Sequence, residues 1–144
     1  MKIKDILRDE EPHISFEVFP PKTDAGYESV LSATEKIAAL KPSFISVTYG
    51  AGGGTSKNTV NIASHIQNDL GVVSLAHLTC ASSTKEEVHQ VIEKLKEKGI
   101  ENVLGLRGDI PDDVQFPVSN QYKYAFELIR DIKSQGDFCV GAAC

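Results

Sequence analysis

Short apolar runs rich in β-branched residues alternate along the chain with longer segments of helical periodicity. The apolar runs begin near Ile14, Ser43, Val72, Asn102 and Phe138, at intervals of 29, 29, 30 and 36 residues. A strand, a helix and two connecting loops occupy about 30 residues, so the pattern predicts consecutive βα units. Because each helix returns the chain to the same end of the sheet, the strands are predicted to be parallel.

Capping signals and helical periodicity predict four helices between these strands. The first follows a capping Asp24, and the second opens at Thr55 or Ser56. The third begins within 83–87, where two capping boxes overlap, and the fourth is predicted over 121–134. The apolar positions predicted to face the sheet are Tyr27, Val30, Leu31, Ile37 and Ala38, then Val60, Ala63 and Ile66, then Val88, Val91, Ile92 and Leu95, and finally Ala125, Leu128, Ile129 and Ile132.

Four βα units and a fifth strand fit two α/β architectures. One is an open doubly wound sheet, and the other is the first half of a (β/α)8 TIM barrel, which needs ~250 residues when complete. We expect a single partial domain over residues 1–144, in which 111–120 is a long βα loop. Both architectures place their functional groups at the carboxyl ends of the strands, so candidate residues are sought there.

Composition and charge exclude several classes of protein. The net charge of −5 lacks the basic excess that a nucleic-acid surface needs. No apolar run reaches the ~18 residues of a membrane span, and the charged start of the chain lacks a signal-peptide core, so we expect a cytoplasmic protein. Cys80, Cys139 and Cys144 have no metal-binding spacing and are interpreted as reduced thiols, Cys80 as a small buried apolar residue.

The first predicted strand carries one carboxylate among apolar neighbours. Side chains alternate along a strand, so Phe16 and Val18 are predicted to face the helices and Glu17 the axis of a barrel. Burial there favours the protonated carboxyl, which suits a general acid near neutral pH. An exposed glutamate at a strand end, or a structural ion pair, explains the same pattern.

Three further strand ends carry candidate chemistry. The glycines of 52–54 match neither a Walker loop nor G-x-G-x-x-G, and they indicate either close approach of a flat ligand or a flexible loop. His77 is predicted to face the lumen as a cofactor contact or a base, unless it is a core histidine. Arg107 and Asp109 are placed to hold a polar ring edge or a phosphate, or to form a local ion pair.

The strand-end motifs, taken together, resemble the methylenetetrahydrofolate reductase family in order and spacing. The four motifs are Phe16-Glu17-Val18-Phe19-Pro20-Pro21-Lys22-Thr23, Ser46-Val47-Thr48-Tyr49-Gly50-Ala51, His77-Leu78-Thr79-Cys80 and Leu106-Arg107-Gly108-Asp109. Each motif alone is short, but four in register over residues 16–109 are highly specific. The similarity continues more loosely from Tyr124-Ala125 to the end of the chain.

The resemblance implies a flavin-containing (β/α)8 barrel that reduces 5,10-methylenetetrahydrofolate to 5-methyltetrahydrofolate with NADH or NADPH, in one-carbon and methionine metabolism. It implies a ping-pong cycle through FAD. Glu17 matches the family's general acid, and Asp109 matches the residue that lies near the flavin ring and contacts the pterin. The positions that match the FAD site are Thr48, Tyr49, Ala51, His77, Arg107, Gly108, Asp109, Tyr124 and Ala125.

The length of the chain leaves two classes of function open. The tyrosine-proline segment that follows strand five in the family lies outside the sequence, so we expect an amino-terminal part that is inactive alone. Such a part is expected to form a homo-oligomer or to need its carboxy-terminal half. The alternative is a non-catalytic half-barrel that self-associates or pairs with a complementary chain. The unpaired backbone N–H and C=O groups of an open sheet edge can bind another strand. A doubly wound nucleotide-binding domain lacks its glycine fingerprint here.

Overall fold

The computed structural model of the chain describes residues 1–21, 24–49, 56–81, 83–110 and 115–143. Its five strands form one parallel sheet in the order β1-β2-β3-β4-β5. The strands are β1 (Ser15–Val18), β2 (Phe44–Val47), β3 (Ser74–Thr79), β4 (Asn102–Leu106) and β5 (Cys139–Ala142). A doubly wound sheet reverses its strand order at a switch point, whereas this order never reverses. The prediction of the first half of a (β/α)8 barrel is therefore confirmed.

Each strand is connected to the next by a helical segment, and a further short helix begins the chain. The helices are α1 (Ile3–Ile6), α2 (Tyr27–Ala38), α3 (Ser56–Ser64), α4 (Lys85–Glu97) and α5 (Ala125–Gln135). A 3-10 turn, Asp24–Gly26, precedes α2, and a π-helical turn, His65–Asp69, continues α3. The sequence pattern predicted all of these helices except α1, whose four residues are too few to show a periodicity.

The predicted helix start is confirmed for α4 but was wrong for α2. Gly26, and not Asp24, occupies the N-cap of α2, because the intervening residues form the 3-10 turn. Thr55 lies outside the described residues, and α3 begins at Ser56. The capping box of α4 is confirmed: the Glu87 N–H donates to Thr84 Oγ1 at 3.2 Å, and the Thr84 N–H donates to Glu87 Oε2 at 2.7 Å.

The predicted start of the last helix was wrong by four residues. Helix α5 begins at Ala125 because Tyr124 keeps an extended backbone, with φ −131° and ψ 153°. Within α5, Leu128 and Ile132 are fully buried as predicted, whereas Ala125 and Ile129 are only half-buried.

The core lies between the sheet and its helices. Strand residues that alternate toward the helices are buried, and most residues on the other face are less so. We call that other side the inner face; Glu17, Ser46, His77 and Leu104 lie on it. The helix-facing strand residues are Val18, Ile45, Val47, Ala76, Leu78 and Val103. The alternation predicted for β1, with Val18 toward the helices and Glu17 away from them, is therefore confirmed.

Gly105 lets α5 approach β4 closely. A Cβ atom at Gly105 would lie 2.7 Å from Cγ1 of Ile129, a distance at which the two side chains cannot coexist without a shift. The helix therefore packs directly on the strand backbone at this point, and its amino terminus is placed beside the carboxyl end of β4.

The amino-terminal segment is attached to the opposite end of the sheet. The fully buried Asn102 accepts a hydrogen bond from the Ile3 N–H at 2.8 Å and donates to the Met1 carbonyl at 3.0 Å. The same amide donates to the Ser74 carbonyl at 3.3 Å. One side chain thus ties α1 to β3 and β4 at the end remote from the strand-end motifs.

A cluster of polar side chains joins α4 to α5. His89 Nε2 lies 2.7 Å from Asp131 Oδ2, and the buried Tyr122 hydroxyl donates to the same carboxylate oxygen. Partial burial alone would raise the pKa of Asp131, but the hydrogen bonds from Tyr122, Gln135 and His89 hold that pKa down to about 2. The ionised carboxylate is therefore the form that the folded chain stabilises.

We predict that Asp131→Asn destabilises the chain by about 1 kcal/mol near neutral pH, the usual contribution of a hydrogen bond. The folded-state pKa is depressed, so this stabilisation is present above the unfolded value of 3.8 and is lost as pH falls through about 2. Urea unfolding of both chains at several pH values measures the difference. Glu93→Gln is the control, since Glu93 pairs with Lys96 inside one helix. An Asp131→Asn chain as stable as the native chain near neutral pH would contradict the prediction.

Candidate active site at the carboxyl ends of the strands

Three polar side chains from three neighbouring strands meet on the inner face. Glu17 and Ser46 are directly paired in the register of β1 and β2, and the Ser46 hydroxyl donates to Glu17 Oε2 at 3.0 Å. His77 of β3 places its Nε2 3.4 Å from the same oxygen. A carboxylate, a hydroxyl and an imidazole therefore form a continuous row across the sheet.

The imidazole of this row is well enclosed. The His77 side chain is 11% exposed, and burial lowers its pKa below the usual value, although the nearby Glu17 charge acts in the opposite direction. The neutral ring is therefore favoured at neutral pH. A neutral imidazole can donate one hydrogen bond and accept one, so His77 suits contact with a polar ring edge.

The carboxylate is less enclosed than the sequence led us to expect. The Glu17 side chain is 45% exposed, because the inner face above it is open in this five-stranded sheet. The expectation of a carboxyl buried among apolar groups is therefore not met by the described residues. Its position on the inner face and its two polar neighbours remain those of a group available to a ligand.

The end of β2 is held by its neighbours on both sides. The Thr48 N–H donates to the Val18 carbonyl at 3.1 Å, and the Thr48 carbonyl accepts from Thr59 Oγ1 at 2.9 Å. Tyr49 is half-buried and packs against the core. Ala51 and the glycines of 52–54 lie outside the described residues.

The end of β4 turns sharply at a glycine. Gly108 has φ +82°, and a Cβ there would lie 3.0 Å from Cβ of Thr79, so both the conformation and the space favour glycine. The Arg107 carbonyl accepts from the N–H groups of Cys80 and Ala81 at 3.2 and 2.8 Å. The side chains of Arg107 and Asp109 are exposed. Within the described part of the chain, no ion pair forms between Arg107 and Asp109. The interpretation of these two residues as a local ion pair is therefore not supported.

Cys80 lies beside this turn and is fully buried. Burial raises the pKa of its thiol to about 11, so the thiolate is scarce near neutral pH. This confirms the interpretation of Cys80 as a small buried apolar residue. Cys139 is a free thiol as well, and Cys144 lies outside the described residues.

Tyr124 and Ala125 reach the same end of the sheet through the loop that leads into α5. That loop is fastened to α4, since the Lys85 N–H donates to the Asn120 carbonyl at 2.9 Å and Lys85 Nζ lies 5.3 Å from the Tyr122 ring centre. Tyr124 is 46% exposed. Among the described residues, no contact joins it to the row of Glu17, Ser46 and His77.

Ser46 is the site residue that the sequence analysis missed. It begins the motif at the end of the second strand, but the sequence pattern assigns it no role. The available signal was a single hydroxyl in the otherwise apolar strand Phe44-Ile45-Ser46-Val47, at a position that pairing in register places beside Glu17. Finding it required the register of β1 against β2, which hydrophobic patterning leaves undetermined when the strands are only four residues long.

The strand order and the strand-end groups define the class of the protein. Parallel strands paired in chain order, with candidate functional side chains at their carboxyl ends, are the arrangement of a (β/α)8-barrel enzyme. Among the described residues, none of the helices has the length and apolar character needed to cross a bilayer.

The chain belongs to the methylenetetrahydrofolate reductase family, whose family model matches residues 2–144. It is 37% identical over 140 residues to "Methylenetetrahydrofolate reductase (NADH) 1" of Arabidopsis thaliana, covering 95% of this chain and 24% of that protein. It is 33% identical over 131 residues to "5,10-methylenetetrahydrofolate reductase" of Escherichia coli, covering 91% of this chain and 43% of that protein. The chain therefore spans from about a quarter to less than a half of the length of these relatives.

We predict that the His77 ring titrates below the usual pKa of about 6.5 and that Glu17→Gln lowers its pKa further. The second effect follows because Glu17 supplies the negative charge that favours the imidazolium. Carbon-13 NMR of selectively labelled histidine measures both values. The ring of His89, which contacts Asp131 instead, is the internal control. A His77 pKa that rises in the variant would contradict the geometry.

Proposed function

We propose that this chain supplies the amino-terminal part of an enzyme that reduces 5,10-methylenetetrahydrofolate to 5-methyltetrahydrofolate with FAD and NADH or NADPH. The observation that carries the proposal is the presence of Glu17, His77 and the Leu106–Asp109 motif at one end of a sheet whose chain belongs to this family. The reaction belongs to one-carbon and methionine metabolism, and we infer a cytoplasmic location for it. We also propose that residues 1–144 form one partial barrel domain.

The residues at the strand ends fit a flavin. Gly108 has a positive φ and carries no side chain, so a flat ring can approach its backbone closely. His77 offers a neutral polar ring, and the exposed Arg107 offers a cation suited to a ring edge or a phosphate. When bound, FAD supplies the two-electron carrier between nicotinamide and folate. We assign its contacts in this chain to Thr48, Tyr49, Ala51, His77, Arg107, Gly108, Asp109, Tyr124 and Ala125.

Glu17 is assigned as the general acid and as a substrate contact. Its carboxyl lies on the inner face, and 45% of the side chain is accessible to a ligand. A proton given by this carboxyl to a nitrogen of the methylene bridge opens the bridge to an iminium that can accept hydride. Only the folate half of the reaction needs this proton.

Asp109 is assigned a double role at the end of β4. Its exposed carboxylate follows the Gly108 turn, where it can contact both the pterin and the flavin ring. A negative charge beside a flavin makes electron gain harder and so favours hydride donation. Arg107 precedes the same turn and supplies the balancing cation.

The sheet edges favour a second candidate function. In the described sheet, β1 and β5 each have a strand neighbour on one side only, and Ile14 and Phe19 beside β1 are 65% and 66% exposed. Open edges and exposed apolar residues favour association. A non-catalytic half-barrel that pairs with itself or with a complementary chain would use these same features. Folate reduction by the chain, once completed with the carboxy-terminal part of a relative, separates the two functions, because a non-catalytic half-barrel would give none.

We predict that Glu17→Gln blocks folate reduction and spares flavin reduction by the nicotinamide. General acids contribute about 10²–10⁴-fold, and the nicotinamide half-reaction does not use this proton. The test uses residues 1–144 completed with the carboxy-terminal part of the Escherichia coli relative, and stopped-flow absorbance follows each half-reaction separately.

The matched control is Glu28→Gln, which removes an exposed carboxylate from the first turn of α2. This variant should behave as the unmodified chain in both half-reactions. Equal losses in the two half-reactions of Glu17→Gln would show that Glu17 is not the acid.

We predict that residues 1–144 alone do not reduce methylenetetrahydrofolate. A barrel site is assembled from loops around the whole ring, and five strands supply only part of that ring. The purified chain should lose flavin on gel filtration and elute above the 15.6 kDa of a monomer. Absorbance at the flavin bands and light scattering provide the measurements. A yellow, active monomer would show that half the barrel suffices.

A further inference from the structure

The Ser46 hydroxyl is the one described hydrogen-bond donor to the Glu17 carboxylate. Ser46 is 7% exposed and sits in the middle of β2, where its main chain is fixed by parallel pairing on both sides. Its Oγ lies 3.0 Å from Glu17 Oε2 and 3.5 Å from the Phe16 carbonyl. A buried hydroxyl on a rigid strand is a well-placed anchor for a longer and more mobile side chain.

Both contacts described for the carboxylate fall on one oxygen. Ser46 Oγ and His77 Nε2 approach Oε2, whereas Oε1 has no partner among the described residues. The two carboxyl oxygens are therefore inequivalent. Each carboxylate oxygen has two lone pairs, and Ser46 and His77 lie against those of Oε2, so Oε1 is the oxygen open to a proton and to a ligand.

We propose that Ser46 is a positioning residue for Glu17, holding Oε2 against the sheet so that Oε1 carries the proton given to the substrate. The inference rests on the proposed role of Glu17 as the acid. In the transfer, the O–H bond at Oε1 breaks and an N–H bond forms on the folate. The negative charge left on the carboxylate is stabilised by the Ser46 hydroxyl, which itself loses no proton.

The arrangement predicts how the Glu17 carboxylate changes when the hydroxyl is removed. A hydrogen bond on Oε2 and none on Oε1 makes the two carbon–oxygen bonds of the ionised carboxylate unequal. Ser46→Ala should therefore make the two bonds more alike and bring the antisymmetric and symmetric carboxylate stretches closer together. His77 is the titratable group within 4 Å of Glu17 in the described part of the chain, and it is unchanged in this variant.

Infrared spectroscopy of the 144-residue chain at neutral pH provides the test, and it needs neither flavin nor folate. Subtracting the spectrum of Glu17→Gln isolates the carboxylate stretches of Glu17. We expect Ser46→Ala to narrow the separation of the antisymmetric and symmetric stretches, and Ser46→Thr, which restores a hydroxyl, to return it. Ser15→Ala is the control, since it removes an exposed serine from β1.

The outcomes separate this inference from the function on which it rests. Native carboxylate stretches in Ser46→Ala, or no rescue by Ser46→Thr, would overturn the positioning role and leave the proposed reaction standing. Loss of the circular dichroism signal would show that Ser46→Ala does not fold, and Ser46→Cys is then measured instead. Cysteine is close to serine in volume and its thiol is only a weak donor. Native carboxylate stretches in Ser46→Cys would likewise overturn the positioning role. Folate reduction that survives Glu17→Gln would instead overturn the assignment of Glu17 as the acid, on which this inference rests, while the infrared contact remained. A completed chain that reduces no folate would overturn the proposed function itself.

Discussion

Parallel pairing of the strands in chain order is the constraint on which the rest of the structure depends. Hydrogen bonds between successive strands bring every carboxyl end to the same edge of the sheet. Groups separated by 60 residues, such as Glu17 and His77, become neighbours for this reason alone. The helices contribute by covering the opposite face, which leaves the inner face free for polar side chains.

Packing and chemistry are divided between the two faces and the two ends of the sheet. Val47 and Leu78 are fully buried toward the helices, while Ser46 and His77 on the same strands face inward and carry the polar row. At the remote end, Asn102 uses its amide to fix α1.

Hydrophobic patterning predicted the parallel βα units because each strand and most helices have their own periodic signal, but it left a doubly wound sheet and a half-barrel equally open. It placed Val18 and Glu17 on opposite faces of β1 and found the capping box of Thr84 and Glu87. It did not predict the start of α5, since a tertiary contact holds Tyr122 outside the helix. It also left Ser46 without a role, because the partner of a short strand's side chain depends on register. About half of the Glu17 side chain is exposed because few strands surround it. No local sequence pattern encodes the number of surrounding strands.

The contact between Gly105 and Ile129 links two positions that are 24 residues apart in the sequence. Because any Cβ at residue 105 would overlap Ile129, the two positions cannot vary independently. A descendant with alanine at 105 would need a shorter side chain at 129, or α5 would move outward and carry Tyr124 away from the strand ends. Substitutions at residues 105 and 129 should therefore occur together among related sequences. The size of the side chain at residue 129 then limits how far the amino terminus of α5 can lie from β4.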